Sequence, residues 1–246
     1  TIFGAIFEST LNPETRRSGG MPYTSIENIH KVIDPLFLND LRAELDTILA
    51  ISQEKQRNQA LRDYQQRLAS LRFLDPACGS GNFLTETFLS LRRLENECLK
   101  AQLNDQSALD FFDDRIFVNI HQFYGIEIND FPATVAKPAL WIAESQMVNE
   151  TAKILARDID FLPLKSYSNI IEGNALTLDW NEVCPASQLS YIIGNPPFVG
   201  ANMMNEQQRI DLRVVFGTRW KNIGEMDYVT GWYKKAADMI HGTSIK

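Results

Sequence analysis

The apolar and polar positions of the chain follow two different patterns, and the change between them falls near residue 72. Before that point, apolar side chains recur every three or four residues, as they do on one face of a helix. After it, short apolar runs alternate with longer segments of helical periodicity. We therefore predict a helical N-terminal segment over residues 1–71 and an α/β domain over residues 72–246.

The N-terminal segment contains one clear helix start. Thr24 and Glu27 have the spacing of a capping box, which predicts a helix that begins at Thr24 or Ser25. Pro35 then interrupts the helical spacing. The apolar positions of residues 41–71 resume it on either side of a polar, Gln- and Arg-rich stretch, so we predict one long helix that lies on an apolar surface.

The second part contains four short apolar runs, each bounded by Gly, Asn, Asp or Pro. Parallel strands need a crossover between them, and a helical segment follows each run, so the runs predict a parallel, doubly wound α/β sheet. The predicted strands lie at 73–74, 123–128, 169–171 and 189–193, and the predicted helices at roughly 83–104, 131–149, 205–216 and 225–241. Because no fifth run follows, we predict an incomplete sheet of strands 1–4 whose fourth strand has an open edge.

Ligands bind at the carboxyl ends of the strands in such sheets, so the loops that follow the runs are the candidate site. The first loop, called here the glycine loop, has two glycines around a serine between a strand and a helix. This lets the backbone approach a ligand and directs helix N–H groups towards it. The loop lacks the third glycine of the dinucleotide fingerprint and the end of a triphosphate-binding loop. Its residues are Asp75, Pro76, Ala77, Cys78, Gly79, Ser80, Gly81, Asn82 and Phe83.

The second and third loops each contain one candidate polar residue. Glu127, followed by Ile128, ends the second run, where a carboxylate can accept from both hydroxyls of a ribose. The alternative is a solvated acid at a strand end, because the separation from the glycine loop exceeds the usual ~20 residues. Asn174 and Ala175 follow the third run. The Asn174 amide could meet an adenine edge or simply form an Asn-containing turn.

The fourth run leads into Asn195-Pro196-Pro197-Phe198, in a segment that we call the diproline loop (residues 194–200). Two prolines fix φ and remove N–H donors, so the carbonyl groups of the loop are stiffly directed. An Asn oxygen and a carbonyl can then accept both hydrogens of one amino group, and Phe198 offers a face to a planar ring. The alternative is a rigid loop that packs an aromatic side chain.

Composition narrows the class of protein. With 24 basic and 31 acidic residues the net charge is −7, which argues against a broad nucleic-acid-binding face on this segment alone. The three cysteines are far apart and have no histidine pair nearby, so we predict neither a disulfide framework nor a metal site. No apolar run reaches the ~18 residues of a membrane span, and no signal peptide is visible, so we expect a cytoplasmic protein.

Together these loops resemble the class I S-adenosylmethionine-dependent methyltransferases that modify adenine N6 in DNA, which have a Rossmann-like sheet. Arg16 to Ser25 resembles the motif that precedes the glycine loop in some of them, whose Tyr-Thr step contacts the methionine part of the cofactor. Asn174 stands where the family often has Asp. The resemblance implies a catalytic role for Asn195, Pro196, Pro197 and Phe198. It implies cofactor binding by Tyr23, Thr24, Asp75, Pro76, Ala77, Cys78, Gly79, Gly81, Asn82, Phe83, Glu127, Ile128, Asn174, Ala175 and Asn195.

The order of the motifs is similar to that of the methyltransferase portion of Mme-type single-chain restriction-modification polypeptides. This resemblance implies a prokaryotic, cytoplasmic DNA methyltransferase whose partner is double-stranded DNA, bound through a target-recognition region outside this chain. Two alternatives stay open. The chain could act on an RNA base or a protein glutamine, whose enzymes share the Asn-Pro-Pro-aromatic loop, or it could be a non-catalytic cofactor-binding subunit of a restriction complex.

Overall fold

The sheet of the domain is parallel, as predicted. The computed structural model describes residues 24–104, 116–156, 159, 169–217 and 220–246. Within these residues, the strands β1 (Phe73–Asp75), β2 (Phe123–Glu127), β3 (Ile170–Glu172) and β4 (Tyr191–Ile192) form one sheet in the order β3-β2-β1-β4. All four strands therefore end at the same edge of the sheet.

Helices cover both faces of this sheet. On β1, the buried side chain of Phe73 belongs to one apolar cluster and that of its neighbour Leu74 to another, because successive side chains of a strand point to opposite faces. This is the Rossmann-like, doubly wound arrangement. The helices are α1 (Ile26–Ile33), α2 (Asn39–Leu49), α3 (Glu54–Ser70), α4 (Asn82–Asn104), α5 (Asp130–Leu155), α6 (Trp180–Val183), α7 (Glu206–Phe216) and α8 (Thr230–Ile240).

The N-terminal segment differs from the prediction in one respect: the single long helix is wrong. Residues 50–53 separate α2 from α3, and the two helices pack together, with the Tyr64 hydroxyl donating to the Leu41 carbonyl oxygen at 2.8 Å. One unbroken helix over residues 39–70 would be ~48 Å long and would extend beyond the core. The break allows both apolar faces to reach the same cluster.

The start of α1 and the step at Pro35 also have physical explanations. Ser25 caps α1, its hydroxyl accepting from the Asn28 N–H at 3.3 Å, so the second of the two predicted starts is right. Pro35 does not end the helical path. The π-helical turn Asp34–Leu38 connects α1 to α2 and has the proline in its first turn. Pro35 has no N–H to donate to the preceding turn of α1, and the change from α to π geometry accompanies this missing bond.

Two later helices differ in extent from the prediction. The helix after β2 runs to Leu155 rather than ending near residue 149. Ala156, which follows its last residue, has a left-handed backbone conformation. The last helix begins at Thr230 rather than near residue 225, because a separate 3-10 turn, Ile223–Glu225, precedes it.

β4 is the edge strand of the four-stranded sheet, as predicted, and Lys246 bonds to part of its free edge. The Lys246 N–H donates to the Ser190 carbonyl oxygen at 3.0 Å, and its own carbonyl oxygen accepts from the Ile192 N–H at 2.9 Å. One residue that bonds to two alternate residues of its neighbour in this way follows the parallel ladder pattern. Lys246 therefore continues the sheet beside β4.

The ends of the neighbouring strands β1 and β4 meet at Asp75 and Gly194. The Asp75 carboxyl is buried and accepts from the Ala77 N–H at 3.0 Å. A Cβ added at Gly194 would lie 2.3 Å from Asp75 Oδ1, and the φ of Gly194 is +151°, so this position requires glycine. Burial raises the pKa of Asp75 to about 7, and the charge of Glu127 acts in the same direction.

Helix α8 is attached directly to the glycine loop. The buried indole N–H of Trp232 donates to the Pro76 carbonyl oxygen at 2.9 Å. Pro76 belongs to a loop with few regular backbone bonds, so this contact satisfies a carbonyl that would otherwise be buried without a partner. The indole thus connects the C-terminal helix to the start of the candidate site.

We expect Trp232→Phe to destabilise the domain by about 1–3 kcal/mol, because it leaves the Pro76 carbonyl without its donor. The measurement is the free energy of urea unfolding. Trp220→Phe is the matched control, since Trp220 is 49% exposed. Equal losses in the two variants would contradict this account of Trp232.

The raised pKa of Asp75 predicts that stability falls as pH rises. Between the ordinary value of 3.8 and about 7, the unfolded chain has released the proton that the folded chain still holds. The contribution of this group is therefore complete at low pH and is lost as pH rises through the folded-state pKa. We expect Asp75→Asn, which stays neutral, to show a weaker decline across this interval in urea unfolding; a slope equal to that of the wild type would disprove the assignment.

Candidate functional site

The glycine loop forms a tight turn that leads directly into α4. The Gly81 N–H donates to the Cys78 carbonyl oxygen at 2.8 Å, and the Thr85 N–H to the Gly81 carbonyl oxygen at 2.8 Å. Gly79 has a φ of +52°, and a Cβ added there would meet nothing within 4 Å. The loop therefore exposes its backbone at Gly79 to open space.

Glu127 lies beside this exposed backbone. Its Oε2 accepts from the Gly79 N–H at 3.0 Å, and its Oε1 accepts from both the backbone and the side-chain N–H of Asn129, at 2.9 and 3.0 Å. The residue is 6% exposed, so the alternative of a solvated strand-end acid is wrong. The structure joins the ends of β1 and β2 through this carboxylate.

Apolar side chains are exposed directly after Glu127. Ile128 is 57% exposed and Phe131, in the first turn of α5, is 56% exposed. Single exposed apolar residues are ordinary, and these two follow the buried carboxylate closely along the chain. A polar partner for hydroxyl groups and an apolar surface thus lie next to each other on the chain.

The Asn174 amide takes part in a buried polar network. Its oxygen accepts from the Leu176 N–H at 2.9 Å, and its nitrogen donates to Asp211 Oδ2 at 2.9 Å. Asp211 also accepts from the Tyr228 hydroxyl at 2.8 Å, and burial together with this carboxylate raises the pKa of Tyr228. The Asn-containing turn is present, and an adenine contact by Asn174 stays a prediction.

Several residues of the predicted cofactor set have side chains in the core. Burial raises the pKa of the Cys78 thiol well above its ordinary value, so it stays protonated at neutral pH. Any cofactor contact of such residues is through the backbone. The Ala175 carbonyl oxygen already accepts from the Trp180 indole at 2.8 Å. The residues concerned are Cys78, Phe83 and Ala175.

The diproline loop contains an exposed amide side chain and an exposed aromatic ring. Asn195 is exposed and Phe198 is 65% exposed. Neither Asn195 Oδ1 nor the Pro196 carbonyl oxygen accepts a hydrogen bond from the described residues. Both oxygens are therefore without a donor among the described residues.

The end of the diproline loop is clamped by the segment before α8. Asp227 Oδ1 accepts from the Val199 N–H at 3.1 Å and from the Val229 N–H at 3.0 Å. The Tyr228 N–H donates to the Val199 carbonyl oxygen at 2.9 Å. Sequence reasoning missed Asp227, Tyr228 and Asp211, because no motif marks them and their partners are distant along the chain.

The N-terminal segment also reaches the diproline loop. The Asn195 side-chain N–H donates to Thr24 Oγ1 at 3.3 Å, across 171 positions of sequence. Of the predicted Tyr-Thr pair, Thr24 is therefore at the site, and Tyr23 lies outside the described residues. Thr24 does not form the predicted capping box, since its neighbour Ser25 caps α1.

In the described part of the chain, no group of three or more His, Cys, Asp or Glu side chains is arranged to hold a metal ion. No helix in the same residues is long and apolar enough to cross a membrane.

Comparison with known proteins gives two similar sequences that cover most of this chain. DNA methyltransferase A of Bacillus subtilis (strain 168) is 38% identical over 249 residues, which cover 100% of this chain and 27% of that protein. A putative type II restriction enzyme and methyltransferase of Methanocaldococcus jannaschii is 28% identical over 172 residues, covering 69% of this chain and 14% of that protein.

A solved structure is similar over almost the whole chain. The type IIL restriction-modification enzyme MmeI in complex with DNA matches with a TM-score of 0.90 and 39% identity, covering 99% of this chain and 32% of that one. The chain thus spans about a third or less of the length of the relatives that it matches. The family described as "MmeI, DNA-methyltransferase domain" matches residues 51–246, and this chain belongs to that family.

Proposed function

We propose that this chain is the catalytic part of an S-adenosylmethionine-dependent DNA methyltransferase that modifies adenine N6 in a restriction-modification system. The single observation that carries the proposal is a pair of acceptors, Asn195 Oδ1 and the Pro196 carbonyl oxygen, that have no donor among the described residues. They lie on a loop whose start packs closely on Asp75 and whose end is bonded to Asp227. Membership of the MmeI methyltransferase family and the names of the relatives support the reaction type.

The residues at the carboxyl ends of β1 and β2 fit a nucleoside-bearing methyl donor. The open space at Gly79, the buried carboxylate of Glu127 and the exposed side chain of Ile128 provide backbone approach, acceptors for hydroxyl groups and an apolar surface. When bound, S-adenosylmethionine supplies an activated methyl group: the amine lone pair forms the C–N bond, the C–S electron pair remains on sulfur, and the surplus proton leaves to water.

The diproline loop activates the amine without a strong base. The lone pair of an adenine amino group is delocalised into the ring, which makes the nitrogen a poor nucleophile. When both amine hydrogens are accepted by Asn195 Oδ1 and the Pro196 carbonyl oxygen, the lone pair is directed away from them. The two bonds strengthen as positive charge develops on nitrogen, so they stabilise the transition state more than the ground state.

Phe198 receives the target base. An adenine inside a duplex cannot reach a loop at the edge of the sheet, so the base must be extruded at a cost of a few kcal/mol. Stacking on an aromatic ring is worth about 1–3 kcal/mol per base, and Phe198, on the same loop as Asn195, is 65% exposed.

DNA binding beyond the extruded base is assigned to other parts of the full-length protein. The chain has a net charge of −7, which disfavours a broad phosphate-binding face here. The relatives are several times longer, and the MmeI structure contains DNA. We place the protein in the prokaryotic cytoplasm, where such a DNA substrate is found.

A labelled-methyl transfer assay on DNA, RNA and protein, using the full-length protein, tests the substrate class. We expect label on double-stranded DNA alone, recovered as N6-methyladenine after digestion. Label on RNA or on glutamine side chains would replace the DNA assignment. Cofactor binding without transfer to any substrate would leave the chain as a non-catalytic subunit.

We expect Asn195→Ala to slow methyl transfer about 100-fold or more, because it removes one of the two acceptors of the amine. The dissociation constant of the cofactor should change little, since the glycine loop and Glu127 are untouched. The matched control is Asn202→Ala, an exposed asparagine just after the diproline loop. Equal loss of transfer and of cofactor binding in Asn195→Ala would refute the assignment.

We expect Glu127→Gln to weaken cofactor binding about tenfold or more, because a charged acceptor of hydroxyl groups becomes neutral. Glu172→Gln is the control, since Glu172 is the register partner of Glu127 on β3 and is exposed. Calorimetric titration measures both. The role of Glu127 is wrong if both variants bind the cofactor with the affinity of the wild type.

A further inference from the structure

The contact between Thr24 and Asn195 ties the Asn195 amide to the start of the N-terminal helices. We propose that Thr24 is a positioning residue for Asn195: its hydroxyl oxygen accepts from the amide nitrogen at 3.3 Å and so turns Oδ1 towards the target amine. This inference rests on the proposed function and assigns Thr24 a role separate from contact with the methionine part of the cofactor.

Orientation matters here because the two ends of an asparagine amide have opposite hydrogen-bonding character. The oxygen accepts, whereas the nitrogen can only donate. A half-turn of the Asn195 amide would therefore present donors to an amine that must itself donate. In the observed orientation Thr24 Oγ1 accepts from the nitrogen, which leaves Oδ1 as the end of the amide that is available to the target amine.

The backbone of Asn195 is already fixed, so only the rotation of its side-chain amide remains to be restricted. Gly194 is held against the Asp75 carboxyl on one side, and Pro196 restricts Asn195 to extended conformations on the other. The exposed side chain still has two rotatable bonds. A hydrogen bond from a separate element is the simplest way to hold it.

Thr24 is placed firmly enough for this role. It precedes the capped start of α1, whose Ile29 and Ile33 side chains are buried in the core. The His30 ring, also on α1, contacts Glu86 Oε1 of α4 at 3.2 Å. Since α4 begins at the glycine loop, Thr24 is held relative to the same scaffold that positions the cofactor loop.

The test compares Thr24→Val, which keeps the shape of the side chain without the hydroxyl, with Thr24→Ser, which keeps the hydroxyl. In the full-length protein, single-turnover methyl transfer at saturating cofactor should be about three- to tenfold slower in Thr24→Val, the value of one neutral hydrogen bond. Thr24→Ser should retain the wild-type rate. Thr24→Ala is measured in parallel and must also be slow.

The dissociation constant of the cofactor separates this role from direct cofactor contact. We expect it to stay close to the wild-type value in Thr24→Val. A raised dissociation constant with an unchanged rate at saturation would overturn the proposal, as would wild-type rates in both variants that lack the hydroxyl.

Ser25→Ala provides the control for a merely structural effect, because it removes the cap of α1 without touching the Asn195 amide. It should lower the melting temperature while leaving the saturated transfer rate near that of the wild type. If it slows transfer as much as Thr24→Val does, the hydroxyl has no orienting role. The outcome of Asn195→Ala is independent: if that variant is active, the proposed function itself fails.

Discussion

The approach of Gly194 to the Asp75 carboxyl is the constraint on which the rest of the site depends. It sets the ends of β1 and β4 side by side, at a distance that no larger residue than glycine permits. The glycine loop and the diproline loop leave from these two ends, so their separation is determined before any side chain of the site is placed. Glu127 then joins the end of the neighbouring strand β2 to the glycine loop.

The N-terminal segment belongs to this scaffold, although it precedes the first strand. Its helices pack in the same apolar cluster as α4 and α5, and its start lies at the diproline loop through Thr24. A helical segment that was predicted only to pack on the domain therefore also contributes a polar contact to the site. This arrangement connects the two predicted regions of the chain at the place where chemistry is proposed.

The loops after the strands could be predicted from the sequence because turn residues and short apolar runs are local signals. The polar network of Asn174, Asp211 and Tyr228 could not, since its members come from three elements that meet only in the folded chain. The break between α2 and α3 was missed for the same reason. Helical periodicity continues across it, and only the size of the core shows that one straight helix does not fit.

The charges around the glycine loop suit a cationic ligand better than an anionic one. Burial raises the pKa of Asp75 and the charge of Glu127 raises it further, so a further negative group beside them would be repelled by the Glu127 carboxylate. A phosphate-rich ligand would add to this repulsion, and the loop also lacks the lysine that phosphate-binding loops use. A positively charged ligand beside the pair would instead stabilise both carboxylates, which agrees with a sulfonium methyl donor and disfavours a nucleotide phosphate at this edge of the sheet.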